Sequence, residues 1–197
     1  MKQVPRRPRS ISSRRISTCT YTDRIPDNLL LEPIEYIFAD HCRQMDMCCA
    51  LEELAERTNS SPPDPQTAQA ILVSLENDLN MHVVDEEMDL FPHLSARALP
   101  EDHFPELLRL LSTEHERDHA LVDEICDGLH RIVRGKPLKK PEKFRRAVGM
   151  FAEIHLSHLN WENAVVLPLA RRCLTGEELK SMGRAMAARR GITYPEE

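Results

Sequence analysis

Three pairs of potential metal ligands recur at one spacing in this sequence, four residues apart. The pairs are His82–Glu86, His115–His119 and His158–Glu162. Residues four apart on an α-helix lie one turn apart on the same face, so both side chains of a pair can reach one central point. His41 lies on a further apolar stripe. Because imidazoles and carboxylates are costly to bury unless they are paired or bind a metal, the pattern predicts a cation among these side chains.

Two of the pairs belong to a repeated sequence frame. The segments 82–92 and 158–168 both read H-x-x-x-E-x-x-x-[LV]-[FL]-P. Two related helices that face each other would form a pseudo-symmetric site for two metals. Glu86 and Glu162 occupy equivalent places in the two frames, and only carboxylates among the candidate ligands can bridge two ions. We therefore expect these two glutamates to bridge a metal pair.

The proline-free stretches of the chain indicate the elements that position these residues. Because proline breaks or kinks a helix, we expect one helix within each long stretch without it. The stretches are 34–61, 66–91, 106–136, 142–167 and 169–194. In the first four, apolar residues recur at helical spacing and share their face with a histidine. Short loops between four such helices predict an all-α fold, an up-down-up-down four-helix bundle with an additional C-terminal helix.

Capping signals and local charge divide the chain into three regions. Asp64-Pro65 and the capping-box spacing from Thr175 to Glu178 are typical of helix starts. Residues 1–24 hold seven Lys or Arg against one acid and have no periodicity, which predicts a disordered basic arm. Residues 25–173 are expected to form the bundle, and residues 174–197 the C-terminal helix and tail.

Composition excludes several classes of protein. With 6 glycines and 5% aromatic residues, β-sandwiches and barrels are disfavoured. Beyond residue 24 the chain holds 19 bases against 31 acids, a balance that suits cation binding and predicts no nucleic-acid partner. No apolar run approaches the roughly 20 residues of a membrane span, so no membrane association is expected. The 6 cysteines include no C-x-x-C pair and follow no signal peptide, which predicts a cytoplasmic location.

Over roughly residues 33–170 the chain resembles the hemerythrin HHE cation-binding family. The resemblance is carried by the H-x-x-x-E-…-L-F-P segment, by the sequence EHERDH at 114–119 and by HLNWEN at 158–163. It implies a four-helix bundle around a non-haem di-iron centre, two iron ions with an oxo or hydroxo bridge. The ligands carried over by motif are His41, His82, Glu86, His115, His119, His158 and Glu162. Animal members close with His-x-x-x-x-Asp, whereas this chain has His-x-x-x-Glu, as many bacterial members do.

The resemblance and the residues together leave three roles open. The first is a cytoplasmic di-iron protein that binds or senses a small diatomic partner, oxygen or nitric oxide. The second is a redox enzyme or a di-iron factor that repairs iron–sulfur clusters. Such factors carry an added cysteine-bearing domain, whereas the first 30 residues here hold only Cys19. The third is an iron store or a metal-responsive interaction module. His155, one turn before His158, is interpreted as a ligand, a partner of a ligand or a core residue.

Overall fold

The computed structural model describes residues 20–195, except for the side chains of Glu116 and Asp118, and this part of the chain is helical without any strand. The five helices are α1 (Pro33–Arg57), α2 (65–97), α3 (Phe104–Val133), α4 (141–173) and α5 (Gly176–Arg189). Both α1 and α3 pack against α2 and α4, so the first four form the predicted bundle and α5 is the predicted additional helix. None of the described helices combines the length and apolar character that a membrane crossing requires.

The basic arm predicted for residues 1–24 lies mostly outside the described residues. Of its last positions, Tyr21 contacts α1 in two ways. Its backbone N–H donates to a carboxylate oxygen of Asp46 at 3.1 Å, and its carbonyl accepts from Arg43 at 3.0 Å. Ile25, which follows, is buried in the core. The end of the arm at residue 24 stays a prediction.

Helix starts follow the capping signals in the sequence. The side chain of Asp64 accepts hydrogen bonds from the backbone N–H groups of Gln66 and Thr67, ahead of proline in the first turn of α2. At α5, Thr175 and Glu178 each accept from the other's backbone N–H, which forms the predicted capping box. Both predicted starts are confirmed.

Two prolines lie inside helices, where the sequence had indicated helix ends. Helix α2 continues through Pro92 to Arg97, and α4 continues through Pro168 to Cys173. Each proline follows a widened π-helical segment, Glu86–Leu90 in α2 and Glu162–Val166 in α4. The proline, which has no N–H to donate, therefore stands where the α-helical hydrogen-bond ladder is already interrupted. A further π segment, Ser74–Asp78, lies earlier in α2.

A layer of buried polar side chains divides the core into two apolar clusters. The first cluster contains Met47, Leu75 and Phe151, and the second contains Ile37 and Phe91. Between them lie buried histidine and glutamate residues from all four bundle helices. Each bundle helix thus contributes to both apolar clusters and to the polar layer. One apolar cluster lies on each side of this layer.

Helix α5 closes the second apolar cluster. Met182 and Met186 are fully buried there. At Gly183 an added Cβ would lie 2.2 Å from the backbone oxygen of Leu30, so only glycine permits this close approach. The helix ends in an ion pair from Arg189 to the buried carboxylate of Asp85, at 2.9 Å. This contact fixes α5 on α2, one residue before Glu86.

Candidate metal centre

Six of the seven predicted ligands meet in the polar layer of the bundle. They form two groups, each of two histidines and two glutamates, whose ligand atoms all lie within 4.8 Å of one another. One group contains His41 and His82, the other contains His115 and His158, and both contain Glu86 and Glu162. All six side chains are buried. Since α1 and α2 supply the first histidine pair and α3 and α4 supply the second, the site requires the whole bundle.

The two glutamates direct one oxygen to each histidine pair. Oε1 of Glu86 lies 3.3 Å from Nε2 of His82 and 3.7 Å from Nε2 of His41. Oε2 of the same carboxylate lies 3.5 Å from Nε2 of His115. Glu86 therefore faces both pairs at once, as a bridging ligand must.

Glu162 repeats this arrangement from the opposite side of the cluster. Its Oε2 lies 3.4 Å from Nε2 of His41, and its Oε1 lies 3.0 Å from Nε2 of His158. The Nε2 atoms of His115 and His158 are themselves 3.1 Å apart. The equivalence of Glu86 and Glu162 in the repeated frames thus corresponds to equivalent positions in space.

The polar atoms at the centre of the cluster fit a bound cation. Nε2 of His41 and of His82, with both oxygens of Glu86 and of Glu162, are buried and have no hydrogen-bond partner among the described residues. Folded proteins leave few such atoms, and each costs about 1–3 kcal/mol. Metal ions placed between them would satisfy all six atoms. Because the donors are imidazole and carboxylate without thiolate, the set suits iron.

The outward nitrogens of the four imidazoles form a closed ring of hydrogen bonds around the bundle. In each case a residue of one helix accepts from the histidine of the next helix. Asp40 of α1 faces Nδ1 of His82 at 3.1 Å, and Glu87 of α2 faces Nδ1 of His115 at 2.9 Å. The ring continues with Glu114 to His158 at 2.9 Å and closes with Asn163 to His41 at 2.7 Å. In a neutral imidazole these bonds favour the proton on Nδ1, so that the Nε2 lone pair is available to a metal at the centre.

The pKa values of the cluster reflect attraction between its imidazoles and carboxylates. Burial alone would lower the pKa of His82, but Glu86 and Asp40 together raise it well above its ordinary value. Burial would raise the pKa of Glu86, but the surrounding imidazoles hold it well below its ordinary value. Burial also opposes protonation of His158, yet Glu162 and Glu86 raise its pKa to about 9. Because metals ligate neutral imidazole, an entering cation displaces protons here.

The seventh predicted ligand, His119, lies beside the cluster and lines one small cavity together with His82, His115 and His158, and its role as a ligand stays a prediction. Its side chain is exposed, and it belongs to neither ligand group. His155 is buried, and its Nε2 lies 2.8 Å from the amide oxygen of Gln44. The amide nitrogen of Gln44 donates to Asp40 at 3.0 Å. His155 therefore supports the acceptor of His82 and belongs to neither ligand group among the described residues.

The acceptors of the ring are the functional residues that sequence reasoning mostly missed. Glu87 follows the candidate ligand Glu86 in the sequence and accepts a hydrogen bond from His115. Asp40, Glu114 and Asn163 had no assigned role. Each of the four is the immediate neighbour of a candidate ligand in the sequence, which is the one pattern that could have indicated them.

Comparison with known proteins agrees with this geometry. The model of the hemerythrin HHE cation-binding domain matches residues 32–170, which include all six residues of the cluster. The chain belongs to the hemerythrin HHE family. It is also similar to an uncharacterised protein of Haemophilus influenzae, with 24% identity over 167 residues, 82% of this chain and 91% of that protein. This HHE domain is thus a cation-binding domain whose buried histidines and glutamates are suited to hold metal.

Proposed function

We propose that this HHE domain holds two iron ions, with Glu86 and Glu162 bridging them, and that it binds or senses a diatomic molecule, oxygen or nitric oxide. His41 and His82 would hold one ion, and the other histidine pair would hold the second. Each ion would receive two imidazoles and two carboxylate oxygens, which leaves two of the six positions that iron commonly uses. At such open positions iron supplies a binding point for small molecules with lone pairs.

The observation that carries this proposal is a small cavity beside the cluster. Its volume is about 20 Å³, and its wall includes His82, His115 and His158 of the cluster together with His119 and His155. A cavity of roughly 10–15 Å³ is enough for one water molecule, so this space has room for a small molecule such as a diatomic gas. Val83 and Val122 also line it, which makes part of the wall apolar.

A larger groove lies elsewhere and is separated from the candidate ligands. Its volume is about 850 Å³, and its lining includes Tyr21, Tyr36 and Arg43. None of the six cluster residues lines this groove, and Asp40 stands between it and His82. An organic molecule bound in the groove would therefore not reach the central nitrogen and oxygen atoms. This separation favours a diatomic ligand over a bulky substrate.

The proposal predicts a spectral response to gas. The protein is purified without oxygen, its iron is measured, and the reduced protein is exposed to oxygen and, separately, to nitric oxide. A new charge-transfer band with oxygen or a nitrosyl band with nitric oxide is expected, because the small cavity adjoins both histidine pairs. A reduced, iron-loaded protein that responds to neither gas would contradict gas binding and would favour iron storage.

A further inference from the structure

We propose that the two metal positions are unequal, and that the ion between His115 and His158 is bound about 10- to 100-fold more tightly than the ion between His41 and His82. The inference rests on the two-metal site proposed above and adds an order of loading to it. The first ion to enter occupies the α3–α4 side, and the ion on the α1–α2 side is the exchangeable one.

The two metal positions differ in the groups that accept hydrogen bonds from the Nδ1 atoms of their imidazoles. On the α3–α4 side, both Nδ1 atoms face carboxylates, Glu87 and Glu114, each at 2.9 Å. On the α1–α2 side, His41 instead faces the neutral amide oxygen of Asn163 at 2.7 Å. A carboxylate behind an imidazole makes its other nitrogen a stronger donor to metal, and an amide does so less. Asn163 is thus the one neutral member of the ring.

A neighbouring cation weakens the remaining carboxylate on the α1–α2 side. Asp40, the acceptor of His82, also receives Nη1 of Arg43 at 3.1 Å. Arg43, which also pairs with Asp78 at 2.8 Å, offsets part of the negative charge that Asp40 would place near the metal. By contrast, neither Glu87 nor Glu114 has a lysine or arginine within ion-pair distance among the described residues, and Glu87 instead accepts from the hydroxyl of Ser112 at 3.0 Å.

Exposure to solvent reduces the electrostatic difference between the two metal positions without reversing it. The side chains of Glu87 and Glu114 are 36% and 16% exposed, whereas that of Asp40 is 6% exposed. Water screens part of the charge of the two glutamates, which limits its effect at the metal. The acceptors next to the α3–α4 pair are nevertheless two carboxylates, against one amide and one carboxylate that is paired with an arginine on the other side. The net electrostatic attraction for a cation is therefore stronger beside His115 and His158.

The experiment is an anaerobic titration of the metal-free full chain with Fe(II), in competition with a chelator of known affinity. The wild type is compared with Asn163→Asp and with Glu114→Gln, two changes that alter charge with little change in shape. Circular dichroism and the unfolding midpoint of each metal-free variant verify that the fold is retained. The wild type is expected to bind two ions in separate steps, about 10- to 100-fold apart.

Each variant is expected to change the affinity of only one of the two iron-binding steps. Asn163→Asp should strengthen the weaker step about tenfold, and Glu114→Gln should weaken the tighter step about tenfold. Two equal steps in the wild type would overturn the inference, as would an Asn163→Asp effect on the tighter step. Saturation at fewer than two ions would instead overturn the two-metal site, so the two failures are distinguishable.

Discussion

Glu86→Gln and Glu162→Gln variants are each expected to lose both metal ions together. Each carboxylate directs one oxygen to the His41–His82 pair and the other to the His115–His158 pair. Glutamine retains the shape but supplies one carbonyl oxygen and an NH₂ group, so it cannot bridge two ions. Since the loss of an outer partner already costs about 10- to 100-fold in metal affinity, the loss of a bridging ligand should cost at least about 100-fold for both ions. Metal analysis of the purified variants measures this directly.

The matched control for these variants is His119→Ala. His119 had been predicted as a ligand from its spacing, but its exposed side chain lies outside both ligand groups. The variant is expected to retain the full metal content of the wild type. Loss of one ion in Glu86→Gln with retention of the other would contradict bridging. Loss of metal in His119→Ala would show that a fifth imidazole ligates.

Removal of metal is expected to lower the stability of the protein strongly. The buried polar atoms at the centre have no hydrogen-bond partner among the described residues, and attraction between imidazoles and carboxylates offsets only part of the desolvation cost of the metal-free core. A ligand present at a thousand times its Kd stabilises the folded state by about 4 kcal/mol, hence about 8 kcal/mol for two ions. At roughly 2–4 °C per kcal/mol for a chain of this size, the unfolding midpoint should fall by about 20 °C.

Thermal unfolding with and without a strong chelator measures this shift. The control is Glu86→Gln, whose midpoint should be the same in both conditions because it holds little metal to remove. An unchanged midpoint for the wild type after verified metal removal would show that the cluster is stable as a purely hydrogen-bonded core.

The sequence was sufficient to predict the bundle because helical spacing and proline gaps are local properties. The four inward histidines and the two glutamates could be chosen because each lies on the apolar face of its own helix. The continuation of α2 and α4 through Pro92 and Pro168 could not be predicted, since apolar periodicity does not reveal a widened turn. In both frames, however, the proline follows the glutamate at the same distance, and the π segment begins at that glutamate.

His119 is the one predicted ligand that neither ligand group includes. A separation of four residues places it one turn from His115, near the same face of α3. Leu111, Ile125 and Leu129 of α3 are fully buried, whereas the side chain of His119 is exposed. Spacing therefore places a side chain near a site but does not determine whether it binds the metal.

The ring of acceptors could not be predicted because it joins different helices. Whether Asn163 of α4 reaches His41 of α1 depends on how the two helices are rotated against each other. Single-helix periodicity carries no information about that rotation. The same ring underlies the inequality of the two metal positions, so the finer chemistry of this site depends on packing that only the three-dimensional structure reveals.

The most direct test of two ions bridged by two glutamates is the anomalous scattering of a crystal of the iron-loaded protein, measured at the iron edge. Two peaks are expected inside the bundle, one next to Nε2 of His41 and His82 and one next to Nε2 of His115 and His158. The carboxylates of Glu86 and Glu162 should lie between them. A single peak, or peaks outside this cluster, would contradict the bridged two-metal site.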